Sequence, residues 1–441
     1  MLSVQANDEI ARVGKGTPNG ELMRRYWHPI AATAELDERP TKAVRLLGED
    51  LVMYRDRSGT YGLIERLCPH RRVDLSYGIP EESGLRCMYH GWMFDESGQC
   101  IEQPFEETVH PSRVSRPGAE PGSSEAVVKS FKEKVKIAGY PVQELGGLLF
   151  AYMGPQPAPL LPRWEQLVWD NAVREICIAE LPCNWLQCQE NSLDPVHNEW
   201  LHAYMGNVVK NGAHALPAGR GKHVKIGFDI FEHGIIKRRV EDGYTEADDD
   251  WREGHPIMFP NILLVGDEVK STLQFRVPVD DYNTYHVSYY AWGAAPGTTA
   301  PKQERVPYRY VPLKDENDRY IVDILFNQDY MAWVTQGPLA RRDKEKLGES
   351  DKGIIMYRKL LKQQAEVVAD GGDPMNTFRD PAKNDAIKLP LEHVKFLNRA
   401  RSGYSLVEAG EPLDVDLIEQ TMATWDGRRS LRATAGAAVG E

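Results

Sequence analysis

Long hydrophobic runs are absent from the sequence. None of its 441 residues belongs to an apolar stretch of the ~18 residues that are needed to cross a bilayer. Residues 1–9 also lack the basic and apolar segments of a secretory signal peptide, and Asp8 and Glu9 stand where the apolar segment would begin. These absences predict a cytoplasmic protein without a membrane partner.

Basic residues are fewer than acidic residues. The chain has 53 Lys and Arg residues against 65 Asp and Glu, which gives a formal net charge of −12. Proteins that bind nucleic acids need a basic surface to displace counterions from phosphates, so we expect no nucleic-acid partner. With 41% hydrophobic and 27% charged residues, the chain has the composition of a folded globular protein, and its length predicts two or three domains.

Cysteine is scarce as well. Six cysteines are too few for a disulfide framework in a chain of this length that is not exported, so we interpret them as thiols or metal ligands. Four of them have no His partner at ligand spacing and are predicted to be buried thiols: Cys100, Cys177, Cys183 and Cys188. The remaining two, Cys68 and Cys87, each have a histidine within three residues and are the candidates for metal binding.

The pattern of apolar residues divides the chain into four parts. Residues 1–30 are predicted to form short lead-in helices. Residues 31–158 show the two-residue period of a small all-β module, interrupted by a polar insertion at 103–135. Residues 159–426 contain strand patterns followed by helix patterns, which predicts an α+β domain. The Ala- and Gly-rich residues 427–441 are predicted to form a flexible tail.

The first candidate site combines two cysteines with two histidines. Cys68 and His70 lie in one turn-rich segment and Cys87 and His90 in another, with the overall spacing C-x-H-x16-C-x2-H. Such a set can bind zinc tetrahedrally, or it can bind a 2Fe-2S cluster in which two His replace two Cys on one iron. Zinc fingers tend to keep their cysteines in one hairpin and their histidines on one helix, so one of each per segment favours the cluster.

The two segments, CPHRRVDLSYG and LRCMYHGWMFD, resemble the motif of the Rieske iron–sulfur domain. The resemblance implies that Cys68 and Cys87 ligate one iron of a 2Fe-2S cluster and that His70 and His90 ligate the other. Imidazole ligands raise the reduction potential of such a cluster. The domain would therefore take electrons from a reductase and pass them on.

The second candidate site lies in the segment ENSLDPVHNEWLH, residues 190–202. On a regular α-helix His197 and His202 point about 140° apart, because five residues advance by about 500°. Binding of one metal by both requires a bulge or a break in the helix, and such defects often mark functional sites. Asp194 could hold the outer ring nitrogen of His197. Alternatively, Asp194 caps a helix that has Pro195 at its first position.

The pattern D-x2-H-x4-H is similar to the mononuclear iron motif of the Rieske non-haem iron oxygenases. This resemblance implies that His197 and His202 bind Fe(II) together with a carboxylate from far downstream, which leaves positions open for dioxygen. The downstream segment FNQDYMAWVTQG, residues 326–337, looks like the ligand-bearing helix of the family. This resemblance makes Asp329 the predicted third ligand. Asp323 and Asp351 are alternatives, although Asp351 is better explained as the cap of the following helix.

The family resemblance also implies an architecture. It predicts an all-β Rieske domain and a catalytic domain with a central antiparallel sheet flanked by helices, the helix-grip or START-like arrangement. It further implies a homotrimer or a hexamer of stacked trimers, in which Asp194 bridges His197 to His90 of a neighbouring chain. Asp194 and Asn191 are the candidate catalytic residues beside the iron, and an NAD(P)H-dependent reductase or a ferredoxin is the implied electron donor.

The sequence looks most like the phthalate dioxygenase and aryl O-demethylase branch, whose members oxidise aromatic acids. A carboxylated substrate needs a local cation in a chain of net charge −12. Arg238, in a predicted strand, is the candidate anchor, because guanidinium binds carboxylate bidentately. The alternative is a solvated strand end beside Glu241 and Asp242.

Other pocket residues are harder to choose from the sequence. His214, His223 and His255 could line the substrate pocket, although a lone histidine is more often a satisfied surface or core residue. The acidic run at residues 245–253 is predicted to be a solvated loop.

The motifs and the resemblance together predict the terminal oxygenase of a multi-component Rieske system. Its substrates would be dioxygen and an aromatic acid. The reaction would be ring hydroxylation of a phthalate- or benzoate-like acid, or O-demethylation of a methoxylated, lignin-derived aromatic or biaryl acid. A Rieske electron carrier without oxygenase chemistry and a zinc-stabilised binding protein are the alternatives.

Overall fold

The computed structural model describes four segments of the chain, residues 2–109, 131–217, 221–392 and 410–426. The predicted tail, and residues 110–130 of the predicted insertion, lie outside these segments. No helix in the described segments has both the length and the hydrophobicity that a membrane crossing requires.

The N-terminal part of the chain is built from short antiparallel strands. In the described residues they are β1 Trp27–Ala32, β2 Thr41–Leu46, β3 Glu49–Arg55, β4 Tyr61–Glu65, β5 Ile79–Glu81, β6 Gly84–Arg86, β7 Met93–Phe94, β8 Cys100–Glu102, β9 Gly139–Tyr140, β10 Val142–Leu145 and β11 Leu148–Tyr152. They form three sheets with the orders β1-β11-β10, β2-β3-β4-β9 and β5-β6-β7-β8. The Cys68 loop follows β4, and the Cys87 loop joins β6 to β7.

The second part of the chain is organised around one large sheet. Its strands are β12 Ala172–Leu181, β13 His223–Phe231, β14 Gly234–Glu241, β15 His255–Met258, β16 Ile262–Gly266, β17 Lys270–Pro278, β18 Thr284–Gly293 and β19 Tyr308–Tyr310. They lie in the order β13-β14-β15-β16-β17-β18-β12-β19. Every neighbouring pair is antiparallel except β12 and β19. Every residue of β17 and β18 is buried, so both faces of the sheet are covered.

Helices pack on this sheet. The α-helices of the described residues are α1 Val4–Ala11, α2 Pro18–Met23, α3 Thr33–Glu38, α4 Pro104–Val109, α5 Trp185–Ser192, α6 Gly206–Asn211, α7 Asp249–Arg252, α8 Leu325–Val334, α9 Lys352–Ala369 and α10 Val415–Ala423. Helix α5 contacts β17, α9 contacts β13 and β14, and α10 contacts β12 and β18. The predicted α+β class and the central antiparallel sheet flanked by helices are confirmed.

Two short helices, α1 and α2, lie within the predicted lead-in. The side chains of Ser3 and Thr17 accept backbone N–H groups at their N-termini, which satisfies donors that a helix start leaves open. Both helices contact α9 of the second part of the chain. The lead-in therefore packs on the domain that carries the large sheet, and β1 follows it directly.

Candidate active site

Cys68 and Cys87 open two loops with the same backbone pattern. In each loop the N–H of the cysteine donates to the carbonyl five residues later, at 2.9 Å and 2.7 Å respectively. The cysteine carbonyl in turn accepts from the residue four places on, Arg72 or Gly91. That residue has a left-handed φ, 60° at Arg72 and 77° at Gly91. The chain thus builds two equivalent tight loops, each offering one Cys and one His.

The four side chains of these loops come together with sulfur inside and imidazole outside. Cys68 and Cys87 are buried, whereas His70 and His90 are exposed. The two imidazole rings lie 4.4 Å apart between centroids, and the indole of Trp92 stacks on His70. The hydrogen bond from the Cys68 thiol, with help from nearby backbone N–H groups, lowers the pKa of Cys87 to about 6. The same hydrogen bond, together with burial, raises the pKa of Cys68, so in the absence of metal the pair shares one proton between two adjacent sulfur atoms.

A helix break precedes the two histidines of the second site. Helix α5 ends just before Asp194, and a π-helix then spans Asn198–Met205. Backbone hydrogen bonds of a π-helix join residues five apart, so such residues lie on one face. His197 and His202 are five apart, and their ring centroids lie at 5.1 Å. The predicted departure from a regular α-helix is confirmed.

Asp329 on α8 completes a group of three possible metal ligands. Its Oδ1 atom lies 3.3 Å from Nε2 of His202 and 3.8 Å from Nε2 of His197. The three donor atoms all lie within 4.8 Å of one another. Of the alternatives, Asp323 is exposed, and the Asp351 carboxylate accepts a backbone N–H in the turn before α9. The structure therefore brings Asp329, and neither alternative, to the two histidines.

Hydrogen-bond acceptors hold the outer nitrogen of each histidine. Nδ1 of His197 lies 2.6 Å from the backbone carbonyl of Asp194, and Nδ1 of His202 lies 2.9 Å from Oε1 of Gln328. Such contacts fix the orientation of a metal-binding imidazole. Each ring consequently presents Nε2 to Asp329.

The carboxylate of Asp194 differs in detail from the expectation. It lies 3.7 Å from Nδ1 of His197, while it accepts the N–H of Val196 at 2.8 Å. The backbone carbonyl, not the carboxylate, is the close partner of the ring. The expected contact with His197 is therefore present, whereas Asp194 is not a helix cap, because the helix begins after His197 and the Asp194 carboxylate only closes a local turn at Val196. The Asp194 side chain is 28% exposed.

Asn191, the other candidate catalytic residue, donates from Nδ2 to Oδ1 of Asp329 at 3.4 Å. Burial raises the pKa of Asp329, but His202, His197 and Arg276 together outweigh burial and hold that pKa below its ordinary value. Asp329 is therefore ionised at neutral pH, as a metal ligand must be.

A cavity of about 120 Å³ adjoins these residues. Its apolar wall consists of Leu263, Val265, Leu325 and Phe326. Its basic wall consists of Lys237, Arg239, His255 and Arg276. A larger groove of about 900 Å³ lies between α1, α2 and α9. Because that groove contains no histidine or cysteine, we locate the chemistry at the smaller cavity.

Arg238 does not line the cavity, so its prediction as the substrate anchor is wrong. Its Nε atom donates to Asp229 at 2.6 Å, and its Nη1 atom donates to the backbone carbonyls of Trp251 and Arg252. Side chains of a strand alternate between its two faces. The neighbours Lys237 and Arg239 therefore face the cavity instead.

Arg276 on β17 is a cavity residue that the sequence did not reveal. It is 1% exposed, and its hydrogen bonds run to the backbone carbonyl and Oε1 of Gln274. No carboxylate in the described segments forms an ion pair with it, and its Nε has no hydrogen-bond partner. Burial lowers the pKa of Arg276 to about 10, so the guanidinium is charged at neutral pH.

The three histidines that were considered as pocket residues lie in different surroundings. His255 lines the cavity, His214 is exposed, and His223 contacts Glu199 outside the cavity. The acidic run at 245–253 is not a fully solvated loop, because it contains α7. The other four cysteines are buried, as predicted.

The chain matches two family models. The Rieske [2Fe-2S] domain model matches residues 26–130, and the "LigXa C-terminal domain like" model matches residues 313–388. Over 393 residues the chain is 45% identical to the 5,5'-dehydrodivanillate O-demethylase oxygenase subunit of Sphingobium sp. (strain NBRC 103272 / SYK-6), covering 89% of this chain and 87% of that protein. The chain belongs to the Rieske non-haem iron oxygenases. It is accordingly an oxygenase subunit that uses a 2Fe-2S cluster and a mononuclear iron.

Further relatives agree with this assignment. The phenoxybenzoate dioxygenase subunit alpha of Ectopseudomonas oleovorans is 33% identical, covering 83% of this chain and 86% of that protein. The phthalate 4,5-dioxygenase oxygenase subunit of Pseudomonas putida is 30% identical, covering 82% and 85%. Among solved structures, NdmA of Pseudomonas putida CBB5 has a TM-score of 0.55 at 20% identity, covering 81% of this chain and 94% of that one. The predicted family is confirmed, and the electron-carrier and zinc-protein alternatives fall away.

Proposed function

We propose that this chain is the oxygenase component that oxidises an aromatic carboxylic acid, with O-demethylation of a methoxylated biaryl acid as the favoured reaction. For this oxygenase we propose the domain division that the sequence predicts. It consists of lead-in residues 1–30, a Rieske domain at 31–158, a catalytic domain at 159–426 and a tail at 427–441. An NAD(P)H-dependent reductase or a ferredoxin supplies the electrons. The 45% identity to the O-demethylase subunit supports the choice of reaction.

The cluster is assigned to the first group of residues. Cys68 and Cys87 would hold one iron, and His70 and His90 would hold the other. Two buried sulfurs, one with a lowered pKa, and two exposed imidazoles form a donor set that fits a Rieske cluster. The exposed histidines place the outer edge of the cluster where an electron donor or acceptor can approach.

The mononuclear iron is assigned to His197, His202 and Asp329. Two imidazoles and one carboxylate are the set that non-haem iron oxygenases use, and the outer nitrogen of each ring is already engaged. When bound, this iron activates dioxygen with electrons supplied by the cluster. Asn191 orients the Asp329 carboxylate, and the buried walls of the cavity exclude water.

The observation that carries the substrate class is the buried guanidinium of Arg276. A charged group buried without an ion pair is costly, and a bound carboxylate would relieve that cost. Lys237 and Arg239 add positive charge to the same wall. A neutral aromatic substrate would place no anion against the Arg276 guanidinium, which forms no ion pair within the described segments, so we assign the cavity to an aromatic acid.

The cavity volume limits how such an acid binds. A cavity of about 150 Å³ holds one benzene molecule, and the cavity beside the triad measures about 120 Å³. At most one ring can therefore lie inside the cavity, and the second ring of a biaryl acid would extend outside it. Ring hydroxylation is the second candidate reaction, supported by the similarity to phthalate and phenoxybenzoate dioxygenase subunits.

The test uses the protein loaded with cluster and iron, a reductase, and a panel of phthalates, benzoates and methoxylated biaryl acids with their methyl esters. O-demethylation releases formaldehyde in step with oxygen uptake, whereas ring hydroxylation releases none. Arg276→Met is expected to raise KM for the acid by ten- to about 100-fold, the loss of one charge-assisted hydrogen bond. Arg238→Met, on the other face of β14, is the matched control and leaves KM unchanged. Equal turnover of acid and ester would contradict the proposal.

We also propose a trimer in which electrons cross between chains. The Asp194 carboxylate, partly exposed beside His197, would contact the cluster ligand His90 of the neighbouring chain. A head-to-tail contact of this kind closes into a ring when the rotation permits. Hexamers of stacked trimers are compatible with the same contact, and light scattering of the loaded protein measures the assembly.

A further inference from the structure

Oxygenase chemistry at this cavity requires protons as well as electrons. Insertion of one oxygen atom follows RH + O2 + 2e⁻ + 2H⁺ → ROH + H2O, and addition of both atoms to a ring also consumes two electrons and two protons. The electron donor proposed above supplies only the electrons. Because the walls of the cavity are largely buried, a side chain that exchanges protons has to connect the cavity to water. This inference therefore rests on the proposed function.

Few residues of the cavity wall can play this part. Arg239 and Arg276 do not release protons, because a guanidinium stays charged in proteins. The three proposed iron ligands are committed to the metal. Lys237 and His255 remain among the described residues that line the cavity, and of these two the imidazole changes its charge near neutral pH.

His255 has a carboxylate path to the surface. Its Nε2 atom lies 3.3 Å from Oε1 of Glu392 and 3.5 Å from Oδ1 of Asp250. His255 and Glu392 are buried at 4% and 2% exposure, whereas the Asp250 side chain is 31% exposed. One ring therefore lines the cavity and contacts a carboxylate that reaches solvent.

The local fold sets up this contact. Asp250 lies on α7, and the chain reverses at Gly254, with a φ of +69°, to enter β15 at His255. A Cβ atom on Gly254 would come within 2.6 Å of the Lys237 carbonyl, so only glycine allows the turn to pack against β14. His255 then pairs with Lys237 in the sheet register. Helix α7 and the turn at Gly254 thus lead the chain from an acidic surface segment into the interior of the protein.

The charges around His255 favour a proton relay over a second metal site. Asp250, His255 and Glu392 could in principle ligate a cation. However, Nε of Arg239 lies 3.2 Å from Oδ2 of Asp250 and already supplies positive charge there. Arg239 also faces Glu241, and Lys237 lies on the same strand, so two cations stand beside the cluster. Arg239 thus already balances part of the carboxylate charge that a metal ion would otherwise neutralise.

We propose that Asp250 and His255 deliver protons from solvent to the oxygenase cavity. The Asp250 carboxyl group takes a proton from water and passes it to Nε2 of His255. The imidazole, which lines the cavity, then passes a proton on to the oxygen that leaves as water or becomes a hydroxyl group. Glu392 holds the ring in place during the exchange.

The test compares His255→Gln and Asp250→Asn with wild type in single turnovers of the pre-reduced, loaded protein. We expect product formation to slow by about 100-fold in His255→Gln, the lower end for a proton-transfer group, and less in Asp250→Asn, because water can replace the carboxylate. In both variants the solvent deuterium isotope effect rises and more of the oxygen consumed appears as peroxide. Iron content and cluster absorption stay at wild-type values, and single turnovers at saturating substrate separate the rate of product formation from any change in substrate affinity. His233→Gln, which removes a buried histidine outside the cavity, is the matched control.

Several outcomes would overturn the relay. They are an unchanged rate and isotope effect, a loss of iron or of substrate affinity that accounts for the slower rate, and a further metal equivalent that disappears in His255→Gln. A wild-type protein that oxidises no aromatic acid would instead refute the proposed function. If the wild-type protein oxidises an aromatic acid and both variants do so at the same rate, the relay is refuted and the proposed function is not.

Discussion

The Oε1 atom of Gln328 lies 2.9 Å from Nδ1 of His202, while its Nε2 atom donates to the carbonyl of Val322 at 2.9 Å. The second hydrogen bond fixes which end of the amide faces the ring. Because Oε1 can only accept, Nδ1 of His202 carries the proton and Nε2 is left with a free lone pair. Gln328 thus selects the tautomer of His202 that can bind iron on the side of Asp329.

Replacing Gln328 tests this relationship. In Gln328→Leu the acceptor is lost, and we expect the affinity for iron to fall by ten- to about 100-fold, the usual effect of losing such a partner. Gln328→Glu keeps an oxygen facing Nδ1 and should retain most of the affinity. The measurement is iron dissociation into a chelator, with cluster absorption as the control for folding. Equal dissociation rates in the leucine variant and wild type would show that the amide has no influence on the metal.

Most of the proposed metal ligands could be predicted from the sequence. His197 and His202 are five residues apart, and this spacing alone required a departure from the α-helix, which the π-helix supplies. The Cys and His spacing of the two N-terminal loops was equally informative. These Cys and His residues lie on short, continuous segments, so the sequence carries their local geometry, whereas Asp329 on α8 could be chosen only from the family resemblance.

Residues that reach the site from distant strands could not be predicted. The choice of Arg238 failed because β14 is buried along nearly its whole length and offers no alternation of polar and apolar positions to fix its orientation. Arg276 lies in a segment without any motif, and Gln328 lies beside Asp329 in the segment that resembles the ligand-bearing helix but has no spacing signal of its own. Their roles depend on the pairing of β14 to β18 and on the packing of α8, which are set by the tertiary fold.

Glu190, in the same segment as the iron histidines, joins three parts of the fold. Its carboxylate accepts from Arg342 at 2.8 Å and from Arg358 at 2.6 Å, and Arg342 also donates to Asn7 on α1. Glu190→Gln would leave two buried guanidinium groups without their shared anion. We expect a loss of about 3 kcal/mol of unfolding free energy.

Chemical denaturation of the Glu190 variant measures this loss. The matched control is Lys314→Gln, which breaks a solvent-exposed pair with Asp318 and should leave the unfolding free energy nearly unchanged. A Glu190 effect as small as that of the control would mean that the two guanidinium groups find other partners. The interpretation of Glu190 as a structural residue would then be wrong.

Asp194 allows a test of the proposed electron transfer between chains. Asp194→Asn keeps the backbone carbonyl that holds His197, and it keeps a side-chain oxygen that can accept the N–H of Val196. Iron and cluster should therefore remain bound, while re-oxidation of the reduced cluster by oxygen and substrate slows by at least about tenfold. Stopped-flow absorption of the cluster follows the reaction, with Asp323→Asn at an exposed position as control. Wild-type re-oxidation in Asp194→Asn would refute the bridge.

The buried His28 on β1 predicts how the stability of the protein depends on pH. Its side chain is fully buried, with Nε2 at 2.8 Å from the carbonyl of Met23. Burial lowers its pKa to about 4, and the neighbouring Arg24 lowers it further, although the hydrogen bond to Met23 acts in the opposite direction. The folded protein thus keeps this imidazole neutral at pH values where the unfolded chain already binds a proton.

The sign of the effect follows from this difference. Above about pH 6.5 both states are neutral and His28 contributes no pH dependence, whereas below that value the unfolded state gains protons and the folded state loses stability until about pH 4. At about pH 5 the loss from His28 amounts to about 2 kcal/mol. His28→Gln keeps a donor for Met23 but cannot titrate, so its unfolding free energy should fall by about 2 kcal/mol less than that of wild type between about pH 7 and pH 5. The pKa of the buried His286 is lowered in the same direction, so the variant keeps part of the dependence. Denaturant titrations at the two pH values measure the unfolding free energies. An equal loss of unfolding free energy between the two pH values in wild type and His28→Gln would mean that His28 is protonated within the fold.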